Sequence, residues 1–192
     1  MTDGDAIAGG LRALASLATA TADRAAELGP IVSAMRTCIR QGGTLFFAGN
    51  GGSAADAQHL ATEYVVKYHA KQPRALRAIA LTTDGSSLTA AANDLGFEEV
   101  FARQLEALAR AGDLLVLHST SGNSLNCIRA AERARTIGVT SVALVGGDGG
   151  RLASVVDHVF VVADPRVSHV QELHLAIQHQ IAGILTAEFG GR

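Results

Sequence analysis

From residue 44 onward, short apolar runs alternate with helical stretches, and that alternation leaves few folds open. The runs are Thr44–Ala48, Ala78–Thr82, Leu114–His118, Val142–Val145 and Val159–Val162. Between them the spacing predicts helices over 53–68, 98–110, 124–137 and, briefly, 149–155, with a closing helix over about Gln171–Glu188. Continuous Val/Leu/Ile strands interleaved with helices call for an α/β fold with a parallel sheet covered on both faces.

Residues 4–41 carry no strand signal. Leu11, Leu14, Leu17 and Ala18 form one apolar stripe, and Ile31, Met35 and Ile39 form another. The break falls at Gly29-Pro30, where proline suits the first turn of a second helix. Two such helices can cover the sheet or pack against a second subunit. A chain of 192 residues, 48% hydrophobic and without long polar or Pro-rich stretches, reads as one compact domain over 1–192. Residues 1–41 are then helices for packing or oligomerisation, and 42–188 the α/β core. A net charge of −2 gives no basic footprint for nucleic acid. There is no run of 18 apolar residues and no charged-then-apolar leader, so the expectation is a soluble, cytoplasmic chain without a membrane partner. Cys38 and Cys127 lie in helical patterns without CxxC spacing and read as buried free thiols.

Two loops after strands carry the chemistry. The first run empties into Gly49-Asn50-Gly51-Gly52-Ser53 and then a helix bearing His59 and Glu63, one turn apart and on one face. This loop is neither a Walker loop, since no Gly-Lys-Ser/Thr follows, nor a dinucleotide fingerprint, since the third glycine is missing. By itself it serves equally as a tight turn. The third run leads into Ser119-Thr120-Ser121-Gly122-Asn123-Ser124 and another helix. One hydroxyl suffices for a helix cap, and four at a helix N-terminus suit a phosphate. In an open parallel sheet both loops lie at the carboxyl ends of strands, where ligands bind. A third loop, Thr82–Ser87, precedes Asn93-Asp94, which could bond sugar hydroxyls or serve turn chemistry. The closing helix holds Gln171, Glu172, His174, Gln178 and His179 among apolar residues. Gln171 and His179 are offset by about 80° and about 12 Å on a regular helix. They share a ligand only at the limit of reach, or with Gln171 ahead of the helix or on another subunit.

The glycine loop followed by Asp-Ala-x-His-x-x-x-Glu, Asn93-Asp94 before Gly96-Phe97, Ser-Thr-Ser-Gly-Asn-Ser, Asp148-Gly149-Gly150 and Gln171-Glu172-x-His174 occur here in order. Over residues 42–185 this resembles the phosphoheptose isomerases of the sugar isomerase (SIS) fold, and the helical N-terminus also fits. The resemblance implies a flavodoxin-like three-layer αβα sandwich with a five-stranded parallel sheet, assembled as a homotetramer with sites between subunits. It implies conversion of D-sedoheptulose 7-phosphate to D-glycero-D-manno-heptose 7-phosphate, the first step of activated-heptose synthesis. By resemblance, Ser119, Thr120, Ser121 and Ser124 bind phosphate, and Asn50, Gly51, Gly52, Ser53, His59, Glu63, Asn93, Asp94 and Gln171 contact substrate. Glu63 and His179 match the acid/base pair, and His59, Glu63, Gln171 and His179 match residues that hold one Zn²⁺ per subunit in several members. Two positions depart from the family pattern: His169 stands where arginine is usual, and Lys67 where some members have arginine. His118 replaces a usually apolar residue and reads as structural.

Two other readings compete. One is a non-catalytic SIS protein that binds the replication initiator DnaA; such relatives lack the acid/base glutamate and second histidine, which this chain has. The other is a sugar-phosphate-sensing regulator, for which residues 1–40 offer no basic recognition helix. An isomerase of a related sugar phosphate is a third, closer variant.

Overall fold

The five apolar runs become the strands of one all-parallel sheet: β1 (Leu45–Gly49), β2 (Ala78–Ala80), β3 (Leu114–Ser119), β4 (Thr140–Gly146) and β5 (His158–Val162). The structure is a computed structural model that describes residues 2–68 and 74–191. Strand order is β2-β1-β3-β4-β5, the flavodoxin-like order, in which the direction of strand addition reverses between β1 and β3. Register pairs Gly49 with His118, so the loops leaving β1 and β3 start side by side at the reversal.

The helices are α1 (Asp3–Asp23), α2 (Gly29–Arg40), α3 (Gly52–Val65), α4 (Gly85–Asp94), α5 (Val100–Leu108), α6 (Leu125–Thr136) and α7 (Val167–Phe189). Alternate strand residues point to opposite faces. Leu45, Phe47, Val116, Leu144 and Phe160 pack with Ile31, Met35, Leu60, Ile177 and Leu185 of α2, α3 and α7. Phe46, Ala48, Leu115, Leu117 and Val145 pack with Phe101, Leu105, Ile128 and Ala131 of α5 and α6. Two cores, one per face, are the reason the strands read as unbroken apolar runs. Each fully buried Leu or Phe contributes roughly 1.5–3 kcal/mol, so neither face can be left uncovered.

The differences from the sequence reading have local causes. Helix α4 is Ser/Thr-rich and buries only Ala91, so it has little apolar periodicity. Asp84 starts it, its Oδ1 accepting from the Ser86 and Ser87 backbone N–H groups at 3.0 Å each. The helix expected over 149–155 is a single 3-10 turn at Arg151–Ser154, because Gly149 and Gly150 just ahead hold positive φ. Helix α7 begins at Val167, earlier than expected. There Asp164 accepts the Arg166 backbone N–H at 2.8 Å and pairs with its guanidinium at 2.6 Å. Helix α2 buries Ile31, Met35 and Cys38, whereas α1 buries no residue and leaves Ile7 and Leu11 exposed. Cys38 and Cys127 are free and buried, and burial pushes both thiols up to about 12. Among the described residues no helix is long and apolar enough to cross a membrane.

Candidate active site

Between β1 and α3 the chain must turn sharply. Gly51 does so with φ of 56°, a conformation that an L side chain resists. Gly52 opens α3 directly beneath Gln171: a Cβ on Gly52 would collide with the Gln171 amide. Gln171 is therefore inside α7, more than a turn from its start, and packs on the glycine loop.

Further along α3, His59 and Glu63 share a face as their spacing requires. His59 Nε2 lies 3.4 Å from Glu63 Oε1 and 2.8 Å from His179 Nε2 on α7. The two imidazole planes are nearly perpendicular, at 80°. Either one nitrogen carries the proton that the other accepts, or both share a cation. The donor atoms of His59, Glu63 and His179 all lie within 4.8 Å of one another, so the group could hold a metal ion. Two imidazole nitrogens and a carboxylate are donor types that borderline divalent metals take. Helices α3 and α7 run alongside each other in one direction: Gly52 meets Gln171, His59 meets His179, and Tyr68 lies against His179 and Gly183. Of the four residues expected at a metal, three converge here, and Gln171 stands by Gly52.

Asp56, three residues before His59, belongs to the same neighbourhood. Burial raises its carboxyl above the usual range, while His59 and His179 pull it back. The sequence reading gave Asp56 no role, although it stood in the quoted motif.

The serine loop has its own support. Ser124 precedes α6 but does not cap it; its hydroxyl lies 3.2 Å from the Ser119 hydroxyl. The Cys127 N–H donates to Asn126 Oδ1 at 2.9 Å, but the Ser124 hydroxyl is not spent on the helix, and an N-terminus without that cap is suited to an anion. Gly122 holds φ of 62°, and the Gly149 carbonyl fills the space where its Cβ would go. Leu152 N–H donates to the Gly122 carbonyl at 2.8 Å and Arg151 N–H to Asn123 Oδ1 at 3.1 Å. The Asp148-Gly149-Gly150 segment thus buttresses the serine loop from behind. Ser119 is buried, Thr120 and Ser124 half-buried, and Ser121 exposed.

The two loops touch through Asn50 and Asn126, whose side-chain amides bond each other. Asn126 was missed from sequence; an asparagine inside the first turn of an otherwise ordinary helix was the available signal. Ser53 is buried at the start of α3. Asn93 and Asp94 end α4, exposed, and bond each other at 2.6 Å rather than either loop or the histidine cluster. His169 is buried in the first turn of α7, and Lys67 is exposed beyond α3.

Beneath the loops lies a buried polar group. His118, next to last in β3, has zero exposure, with Phe47 stacked on it and His174 of α7 at 6.1 Å between ring centroids. Gln178, one turn beyond His174, is also fully buried. The Gln/Glu/His run of α7 is therefore split: Glu172 and Gln180 face solvent, while His174 and Gln178 face the core.

A SIS domain family model matches residues 11–146. A phosphoheptose isomerase from Akkermansia muciniphila is 44% identical over 188 residues, covering 96% of this chain and 94% of that protein. One from Chlorobaculum parvum is 49% identical over 166 residues, covering 83% and 79%. Among solved structures, a phosphoheptose isomerase from Neisseria gonorrhoeae superposes with a TM-score of 0.90 at 36% identity, covering 97% of this chain and 100% of that one. Another, from Francisella tularensis, gives 0.92 at 32% identity with the same coverage.

Proposed function

The chain belongs to the SIS-domain family, among its phosphoheptose isomerases, and from that premise we propose that it converts D-sedoheptulose 7-phosphate to D-glycero-D-manno-heptose 7-phosphate, the first step of activated-heptose synthesis. The observation that carries the reading is the convergence of His59, Glu63 and His179 on two parallel helices, one of which starts at a glycine loop and the other of which packs on it. Ketose-to-aldose isomerisation removes a proton from C1, passes through an enediol, and returns a proton to C2, while the hydroxyl proton moves from O1 to O2. It needs a base at the carbons and a group that moves protons between the oxygens. The Glu63 carboxylate and the His179 imidazole suit these roles.

The serine loop, with Ser119, Thr120, Ser121 and Ser124 at the N-terminus of α6, takes the phosphate in this reading. Asn50, Gly51, Gly52, Ser53 and Gln171 then line the sugar end, with His59 and Glu63 at the reacting carbons. Asn93 and Asp94, exposed at the end of α4 and bonded to each other, contact the sugar in this reading. The uncovered face of α1 supports self-association. A groove of about 490 Å³ between α1, α2 and α7, lined by Ala22, Leu28, Val32, Ile177 and Ile181, continues that apolar surface. A homotetramer of single-domain chains in the cytoplasm is the assembly proposed. Zinc is the metal proposed for His59, Glu63 and His179, with Gln171 the fourth residue that the resemblance offers; when bound, it supplies a Lewis acid beside the substrate oxygens.

The test is direct. Purified protein is incubated with sedoheptulose 7-phosphate, with and without zinc, and the aldose signal is followed by NMR. Appearance of the heptose 7-phosphate is expected; no turnover under either condition would end the isomerase reading.

A further inference from the structure

The amide pair between the loops has a fixed polarity. Asn50 Nδ2 donates to Asn126 Oδ1 at 2.9 Å, and Asn126 Nδ2 donates to Asn50 Oδ1 at 2.8 Å. Such a pair, taken alone, works equally well with both amides flipped. A third bond removes the choice. The backbone N–H of Cys127 donates to Asn126 Oδ1 at 2.9 Å, and a backbone N–H can only donate. Oxygen must therefore occupy that end of the Asn126 amide, which turns its NH₂ toward Asn50. Asn50 must answer with its own oxygen.

The accounting of donors and acceptors then separates the two residues. Asn126 is 2% exposed, and its oxygen already accepts two hydrogen bonds. Asn50 is half-buried and keeps one N–H and one oxygen lone pair outside the pair. The outward-facing chemistry belongs to Asn50, and its direction is set by Asn126.

We propose that Asn126 is a positioning residue for the isomerisation: it fixes which end of the Asn50 amide faces the sugar phosphate and holds the glycine loop in register with the serine loop. This rests on the reading of Asn50 as a sugar contact. Carbonyl and phosphate oxygens of the substrate only accept hydrogen bonds, so an Asn50 amide free to flip presents its own oxygen to them part of the time. Helix α6 and helix α3, which Asn50 precedes, pack on opposite faces of the sheet, and the amide pair joins their starts at the reversal of strand order.

A double-mutant cycle tests it, using Asn126→Ala, Asn50→Ala and the double variant, with Asn126→Leu as a volume-filling second choice should alanine fail to fold. All are neutral, so the field at the serine loop is unchanged. Asn126→Ala should lower kcat/KM about ten- to hundredfold. In the Asn50→Ala background the same change should cost less than about twofold. Inhibition by inorganic phosphate, which probes the serine loop alone, should stay within about threefold of wild type. Additive losses, or phosphate inhibition weakening in step with kcat/KM, would overturn the proposal. If wild type binds but does not turn over sedoheptulose 7-phosphate, the isomerase reading fails by itself. The same cycle on calorimetric affinity for that sugar phosphate then decides the role of Asn126: non-additive losses uphold it and additive ones overturn it. Absence of binding by wild type removes both.

Discussion

His118 in β3 and His174 on α7 face each other in the core, 6.1 Å between ring centroids. Burial holds His118 down to about 3, with His174 adding to the effect, and holds His174 down to about 4. Both values lie below the 6.5 of the unfolded chain, so the unfolded state takes up more protons across the interval. Their contribution to stability is complete above about pH 6.5 and is lost as pH falls through 5 toward 4. Each group costs on the order of 1 kcal/mol per pH unit in that window. Urea midpoints should therefore drop between pH 7 and pH 5, and His118→Leu should flatten that limb. Parallel limbs in the two proteins would refute this origin of the acid sensitivity.

Gly52→Ala separates stability from activity. Alanine is the better helix former by about 1 kcal/mol, and the atoms it meets are the flexible end of Gln171. The melting temperature should hold or rise slightly, while kcat/KM falls at least about tenfold as Gln171 is displaced. Equal activity would mean that the position of Gln171 is immaterial.

Glu63→Gln keeps the shape and removes the base. Its contact with His59 is partly exposed, with side-chain exposures of 46% and 17% for His59 and Glu63, so stability should change by no more than about 1 kcal/mol. Turnover should fall about 10²- to 10⁴-fold. A rate equal to wild type in the NMR assay is the outcome that removes Glu63 from catalysis.

Metal analysis of untreated protein should find about one zinc per chain. Added zinc should raise the melting temperature of chelated protein by mass action, and His179→Ala should abolish the rise. An unshifted melting curve for the wild type would strike zinc from the proposal and leave the fold assignment intact.

Gly122→Ala attacks the serine loop from its backbone. The residue has φ of 62° and no room beside the Gly149 carbonyl. A cost above about 1 kcal/mol is expected from conformation alone, together with weaker inhibition by inorganic phosphate. Retention of both stability and phosphate affinity would show that the loop can re-form another way.

Much of the fold was legible because its signals are local. Strands buried on both faces read as unbroken runs such as Leu114–Leu117, and the two functional loops follow them immediately. Helix α4 was not legible, since its start depends on the Asp84 cap and only one of its residues reaches the core. The candidate site divides in the same way. His59 and Glu63 are paired by helix spacing alone, whereas their meeting with His179 depends on how α3 packs against α7. The link from Asn50 to Asn126 and the pairing of His118 with His174 join residues far apart in the chain, and no local pattern announces them.

The shared direction of α3 and α7 makes the site intolerant of a particular kind of change. Contacts at Gly52–Gln171 and His59–His179 are rungs of a ladder whose rails are two regular helices. One inserted or deleted residue between rungs turns everything beyond it by about 100°, so it severs one end of the site from the other while sparing each helix. Length variation within this lineage should therefore collect in the loops and termini, and the stretches 52–63 and 171–179 should keep a constant residue count.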